Sequence, residues 1–101
     1  MLVVDVPGAK LRAGIFLRRV VFHDDRVVFE VYASRTFEAP ELSEVSLSDN
    51  LGTTYKQLPL ADALDGKGLI EFTPAAPADW ASFQVGVPGR WVVMYRSDLS
   101  D

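Results

Sequence analysis

The chain has 101 residues, no cysteine and a formal net charge of −4, and 49% of its residues are hydrophobic. A chain of this length can bury a core without a metal or a disulfide, so we expect one domain over residues 1–101. The lack of cysteine excludes disulfides and thiolate chemistry. The ten Lys and Arg residues are dispersed, whereas nucleic-acid binding needs a concentrated basic surface, so we expect no nucleic-acid partner.

No stretch approaches the roughly 20 apolar residues that a membrane helix needs, so no membrane span is expected. The opening residues 1–5 have neither the basic segment nor the long apolar segment of a secretory signal. We therefore expect no signal peptide, which favours a cytoplasmic location.

The first third of the chain predicts a strand and a hairpin. Residues 2–6 alternate as a short strand, and Pro7 with Gly8 predicts its end, at a sheet edge, followed by a connector. Residues 14–34 hold two runs of β-branched and aromatic residues on either side of a polar tetrad, which is typical of an antiparallel hairpin.

The hairpin also predicts which side chains face the core. In the first arm, the alternation of apolar and polar residues fails at Arg18 and Arg19, and a β-bulge there would restore it. In the second arm one face is uniformly apolar, which predicts that it faces the core; its members are Val27, Phe29, Val31 and Ala33.

In the rest of the chain, short segments in which apolar and polar residues alternate are separated by Pro, Gly and Asn residues, which are typical of turns. We expect a crossing between sheets at residues 35–40 and one helical turn at residues 59–65. Strands are predicted at residues 44–49, 53–57, 69–73, 82–87 and 90–96. About seven to eight short strands without a long amphipathic helix predict an all-β, two-sheet, immunoglobulin-like sandwich.

A family resemblance rests on two motifs, Asp49-Asn50-Leu51-Gly52-Thr53-Thr54-Tyr55 and Phe72-Thr73-Pro74-Ala75-Ala76-Pro77. They resemble a pattern in small uncharacterised bacterial proteins, often actinobacterial, with the form Asp-x-x-Gly-Thr-x-Tyr, a glycine-containing insert and an aromatic-x-Pro segment. The resemblance covers about residues 44–95 and implies an immunoglobulin-like β-sandwich, with no chemistry attached.

The first motif also has a physical interpretation as a folding device. Gly52 can adopt a backbone conformation that other residues resist. Asp49 can accept hydrogen bonds from turn amides, and Tyr55 can pack its ring inward while its hydroxyl stays in water.

The sequence gives little support for a catalytic or metal-binding site. His23 is the only histidine, and with its neighbours Asp24 and Asp25 it cannot supply the converging ligands of a zinc site. No Gly-x-Ser-x-Gly elbow is present, and the Asp and Asn residues lack the spacing of a calcium loop. Glu30 and Glu71 are better explained as cross-strand surface charges than as a glycosidase pair. We predict no catalytic residues, no metal, no cofactor and no enzymatic activity.

The last strand is apolar on both faces, and only one face can serve the core of a sandwich. Trp91, Val93 and Tyr95 share one face, while Val92 and Met94 share the other. The face left over is covered either by the loop at residues 74–80 or by a partner, because large exposed apolar patches usually mark interfaces.

These aromatic residues carry the functional hypotheses. We predict a binding surface formed by Trp91, Tyr95, Val93 and Trp80, and a protein that acts by protein binding or self-association. A symmetric homodimer is the simplest such assembly. The alternative is a carbohydrate-binding module in which Trp80, Trp91 and Tyr95 stack on sugar rings.

Overall fold

The computed structural model of the chain describes residues 2–12, 14–34, 42–59 and 67–96. The predictions for residues 35–40, and for all but the first residue of the segment 59–65, lie outside the described residues. The described elements are β1 (Leu2–Arg12), β2 (Ile15–Phe22), β3 (Val27–Ala33), β4 (Ser46–Asp49), β5 (Lys56–Gln57), β6 (Lys67–Thr73), β7 (Ser82–Val87) and β8 (Arg90–Tyr95).

These strands form two antiparallel sheets packed on one another. The large sheet has the order β1-β2-β3-β6-β5, and the small sheet has the order β4-β7-β8. The prediction of an all-β, two-sheet sandwich is confirmed, while the immunoglobulin-like topology stays a prediction.

The β2–β3 hairpin follows the sequence pattern closely. The register shifts between Leu17 and Arg19, where the bulge was predicted. Because one extra residue reverses the alternation, the β2 side chains that belong to the core cluster change from odd to even positions along the strand; they are Ile15, Leu17, Val20 and Phe22. In β3 the predicted core face is also confirmed, with Val27, Phe29 and Val31 buried.

The predicted end of β1 at Pro7 and Gly8 is wrong. The strand continues to Arg12, and its pairing with β2 is interrupted by a register shift between Asp5 and Ala9. An edge strand can contain such a break because only one of its sides needs a continuous ladder. Among the described strands, β1 lies at the edge of the large sheet, as predicted.

The core lies between the two sheets and is rich in aromatic rings. Phe29 and Phe72 meet edge to face within the large sheet, with ring centroids 5.7 Å apart. Phe22 of the large sheet contacts Phe83 of the small sheet at 5.6 Å. The contact between Phe22 and Phe83 packs the inner face of the small sheet against the large sheet, so the other face of the small sheet points outward.

Candidate binding surface

A two-residue turn sets the position of β8. Pro88 and Gly89 join β7 to β8, and Val87 pairs with Arg90 across the turn. Gly89 has a φ of 85°, the left-handed value that the third position of a type II turn requires, and proline suits the position before it.

The side chains of β8 divide as the sequence predicts. Met94 is buried and Val92 packs against the core cluster. On the opposite face Trp91 is 38% exposed, Val93 49% and Tyr95 54%. We call Trp91, Val93 and Tyr95 the β8 ridge.

Trp80 does not belong to this surface, and its expected place there is wrong. It is 4% exposed, stacked on Phe22 at 5.2 Å and in contact with Phe83 at 4.6 Å. The Arg96 guanidinium lies 5.2 Å from the centre of its ring. The sugar-stacking platform proposed from Trp80, Trp91 and Tyr95 therefore lacks one of its three planes.

The ridge lies at the border of the small sheet. Its cross-strand neighbours on β7 are Gly86, Gln84 and Ser82. Beyond them, Ser46 and Ser48 of β4 are exposed. The outer face of the small sheet is therefore apolar along β8 and polar along β4, which places the apolar strip beside the sheet edge.

The backbone of the ridge residues also points away from the sheet. The Arg96 amide donates to the Ala81 carbonyl at 2.8 Å, so Arg96 and Ala81 form a hydrogen-bonded pair. Because such pairs alternate along an antiparallel ladder, Met94 and Val92 also bond to β7. The N–H and C=O groups of the three ridge residues consequently face the free edge, since β8 pairs only with β7 among the described strands.

The other edges of the described sheets are less open to a further strand. β4 has four residues and β5 has two, and β1 is interrupted between Asp5 and Ala9. Short or broken edges limit pairing between molecules. β8, by contrast, pairs with β7 over six consecutive residues without a register shift.

The Asp49 motif forms a compact loop on the small sheet. Asp49 Oδ1 accepts hydrogen bonds from the Leu51 and Thr53 amides at 2.9 and 3.0 Å, and Gly52 has a φ of 77°. Asp49 Oδ2 accepts from the Tyr55 hydroxyl at 2.7 Å. The prediction of a turn capped by Asp49 is confirmed, whereas the hydroxyl that was expected in water is bonded to the carboxylate.

This arrangement shifts the pKa values of two side chains. Burial raises the pKa of Asp49, but hydrogen bonds from Tyr55, Thr53 and Leu51 outweigh it, so the pKa of Asp49 is lowered overall. Burial and the hydrogen bond to Asp49 raise the pKa of Tyr55. Both shifts favour the ionised carboxylate beside a neutral phenol, a stable pair that holds the loop.

The residues considered as catalytic or metal-binding candidates do not converge on one site. The His23 amide donates to the Arg26 carbonyl within the hairpin turn. Glu71 accepts a hydrogen bond from Arg26 at 2.9 Å, and Glu30 lies 4.0 Å from Arg19. In the described ranges, no three His, Asp or Glu side chains are placed to hold a metal ion together.

The described residues contain no helix long and apolar enough to cross a membrane. In comparisons with known proteins, no family model, no curated protein and no solved structure matches the chain.

Proposed function

We propose that this protein is a non-enzymatic β-sandwich module of immunoglobulin-like type that acts by protein–protein contact through the β8 ridge. The observation that carries the proposal is that an exposed apolar strip lies on a strand edge to which no further strand pairs among the described residues. Trp91, Val93 and Tyr95 contribute both features.

The composition of the ridge supports this role. Trp and Tyr are the residue types most enriched among those that dominate binding energy at interfaces, because they offer large rigid surfaces with a polar tip. Trp91 and Tyr95 lie two positions on either side of Val93, so all three side chains emerge on one face. A partner could bury them together.

The surroundings of the carboxylates support a non-enzymatic role. Glu30 and Glu71, the pair considered for sugar hydrolysis, each face an arginine. On β6, Glu71 is the register partner of Val28, while Glu30 faces Leu69. Each carboxylate therefore pairs with an arginine of its own, and the two glutamates lie diagonally on the sheet, not directly opposite each other.

Self-association is the form of this activity that the chain alone can reveal. In light scattering over a concentration series, we expect the average mass to rise above the monomer mass of 11.2 kDa. The double variant Trp91→Ser with Tyr95→Ser should associate at least about tenfold more weakly, since loss of two anchoring aromatics costs more than 1.4 kcal/mol.

The matched control is Leu69→Ser. Leu69 is 54% exposed, as Tyr95 is, but lies on the large sheet. We expect this control to associate like the unmodified chain. Association that the double variant leaves unchanged would remove the ridge from the contact and contradict the proposal.

A further inference from the structure

We infer that the partner of the β8 ridge is a second copy of this chain, with the two β8 strands paired antiparallel about a two-fold axis at Val93. The pairing would join two three-stranded small sheets into one continuous sheet of six strands. This inference rests on the proposed function and names its partner.

The backbone determines the register. Only residues whose N–H and C=O groups face outward can form hydrogen-bonded pairs across a new edge, and on β8 these are Trp91, Val93 and Tyr95. When Val93 faces Val93 of the second copy, Trp91 faces Tyr95 of the second copy. All three outward-facing residues then pair, with about six backbone hydrogen bonds. Moving the axis by one residue to either side leaves one of the three without an outward-facing counterpart.

The side chains favour the same register. All ridge side chains lie on the outer face, so the two ridges would form one strip in which Trp91 of each copy lies beside Tyr95 of the other. Cross-strand aromatic pairs of this kind are favourable on a sheet surface. The β8 strand is thus complementary to itself in both its backbone and its side chains.

The area predicts a weak dimer. A six-residue edge is about 20 Å long, and much of the surface of the three ridge side chains is already covered within the protomer. The total buried area therefore falls below the roughly 1,200 Å² of standard interfaces, in the class of transient contacts. We expect a dissociation constant on the order of 100 μM.

Charge gives the dimer a recognisable salt dependence. Each copy carries a net charge of −4, and the paired strands would bring Arg90 opposite Arg96 of the second copy. Because both effects are repulsive, added salt should strengthen the dimer. An acidic partner attracted by these arginines would be released by salt.

Cross-linking tests the geometry directly, because the chain has no cysteine of its own. Hydrogen-bonded partners in antiparallel strands have Cα atoms about 5.5 Å apart, within the range of a disulfide. We expect Val93→Cys to form a disulfide dimer on mild oxidation. Trp91→Cys should cross-link with Tyr95→Cys in a mixture but not with itself, because its own counterpart lies about 13 Å away along the strand. Leu69→Cys is the control and should stay monomeric.

A second variant separates this inference from the proposed function. Val93→Pro removes an outward-facing amide and no bond to β7, and it leaves both aromatics of the ridge in place. We expect its association to be at least tenfold weaker.

If Val93→Pro associates like the unmodified chain while Trp91→Ser with Tyr95→Ser does not, the strand pairing is wrong and the ridge proposal stands. A chain that stays monomeric to about 1 mM, or Trp91→Cys that cross-links with itself as readily as Val93→Cys does, would also overturn the pairing.

Discussion

Replacing Trp80 with alanine is expected to lower the free energy of unfolding by about 3–5 kcal/mol. The indole is almost fully buried between Phe22 and Phe83, so its loss leaves a cavity at the centre of the aromatic cluster. The total stability of a domain of this size is about 5–15 kcal/mol, so the variant should lose a large share of it. Urea unfolding followed by circular dichroism measures the change.

The matched control is Trp91→Ala, the same substitution on the outer face of β8. Because Trp91 is partly in solvent, we expect it to cost about 1 kcal/mol or less. Both variants should be compared at low micromolar concentration, where association adds nothing to the stability of the unmodified chain. Equal losses for the two tryptophans would contradict the burial described for Trp80.

Asp49→Ala is expected to cost about 2–3 kcal/mol, the second-largest loss we predict. The carboxylate accepts from two backbone amides and from the Tyr55 hydroxyl. Its removal leaves a partly buried phenol and two turn amides without these acceptors. Tyr55→Phe deletes only one of the three bonds and should cost less, about 1–2 kcal/mol. The same unfolding measurement at neutral pH gives both values.

The pH dependence provides the control for Asp49. Its pKa in the folded protein lies below the ordinary value of 3.8, so the ionised carboxylate stabilises the fold above that value. This stability is lost as the pH falls through the lowered pKa. Asp49→Asn cannot titrate, so its stability should fall less steeply between about pH 4 and pH 2. If the free energy of unfolding of Asp49→Asn falls as steeply with pH as that of the unmodified chain, the loss of stability in acid does not come from Asp49.

Local patterns in the sequence predicted the faces of the strands well. The alternation in β3 identified Val27, Phe29 and Val31 as core residues, and its failure at Arg18 and Arg19 predicted the bulge. Both features depend on the two-residue period of a strand, which is visible within a few neighbouring residues.

Features that depend on distant contacts were predicted less well. Nothing near Trp80 indicates that it packs on Phe22, which lies far earlier in the chain, at the end of β2. The predicted strand at residues 53–57 shortens to Lys56–Gln57, because the Thr53 amide bonds to Asp49 instead of to a neighbouring strand.

The candidate surface was partly predictable for the same reason. The sequence alone assigns Trp91, Val93 and Tyr95 to one face of a strand. That β8 lies at an edge depends on the pairing order β4-β7-β8, which no local pattern encodes. The open backbone of the ridge therefore emerges only from the fold.

Amide hydrogen exchange along β8, measured by NMR at two protein concentrations, tests self-pairing of the ridge most directly. At about 20 μM the amides of Val92 and Met94 should exchange slowly, while those of Trp91, Val93 and Tyr95 exchange quickly because they face solvent. At about 1 mM the three ridge amides should slow several-fold as they bond to a second copy. Exchange at the ridge that does not change with concentration would contradict the pairing of β8 with itself.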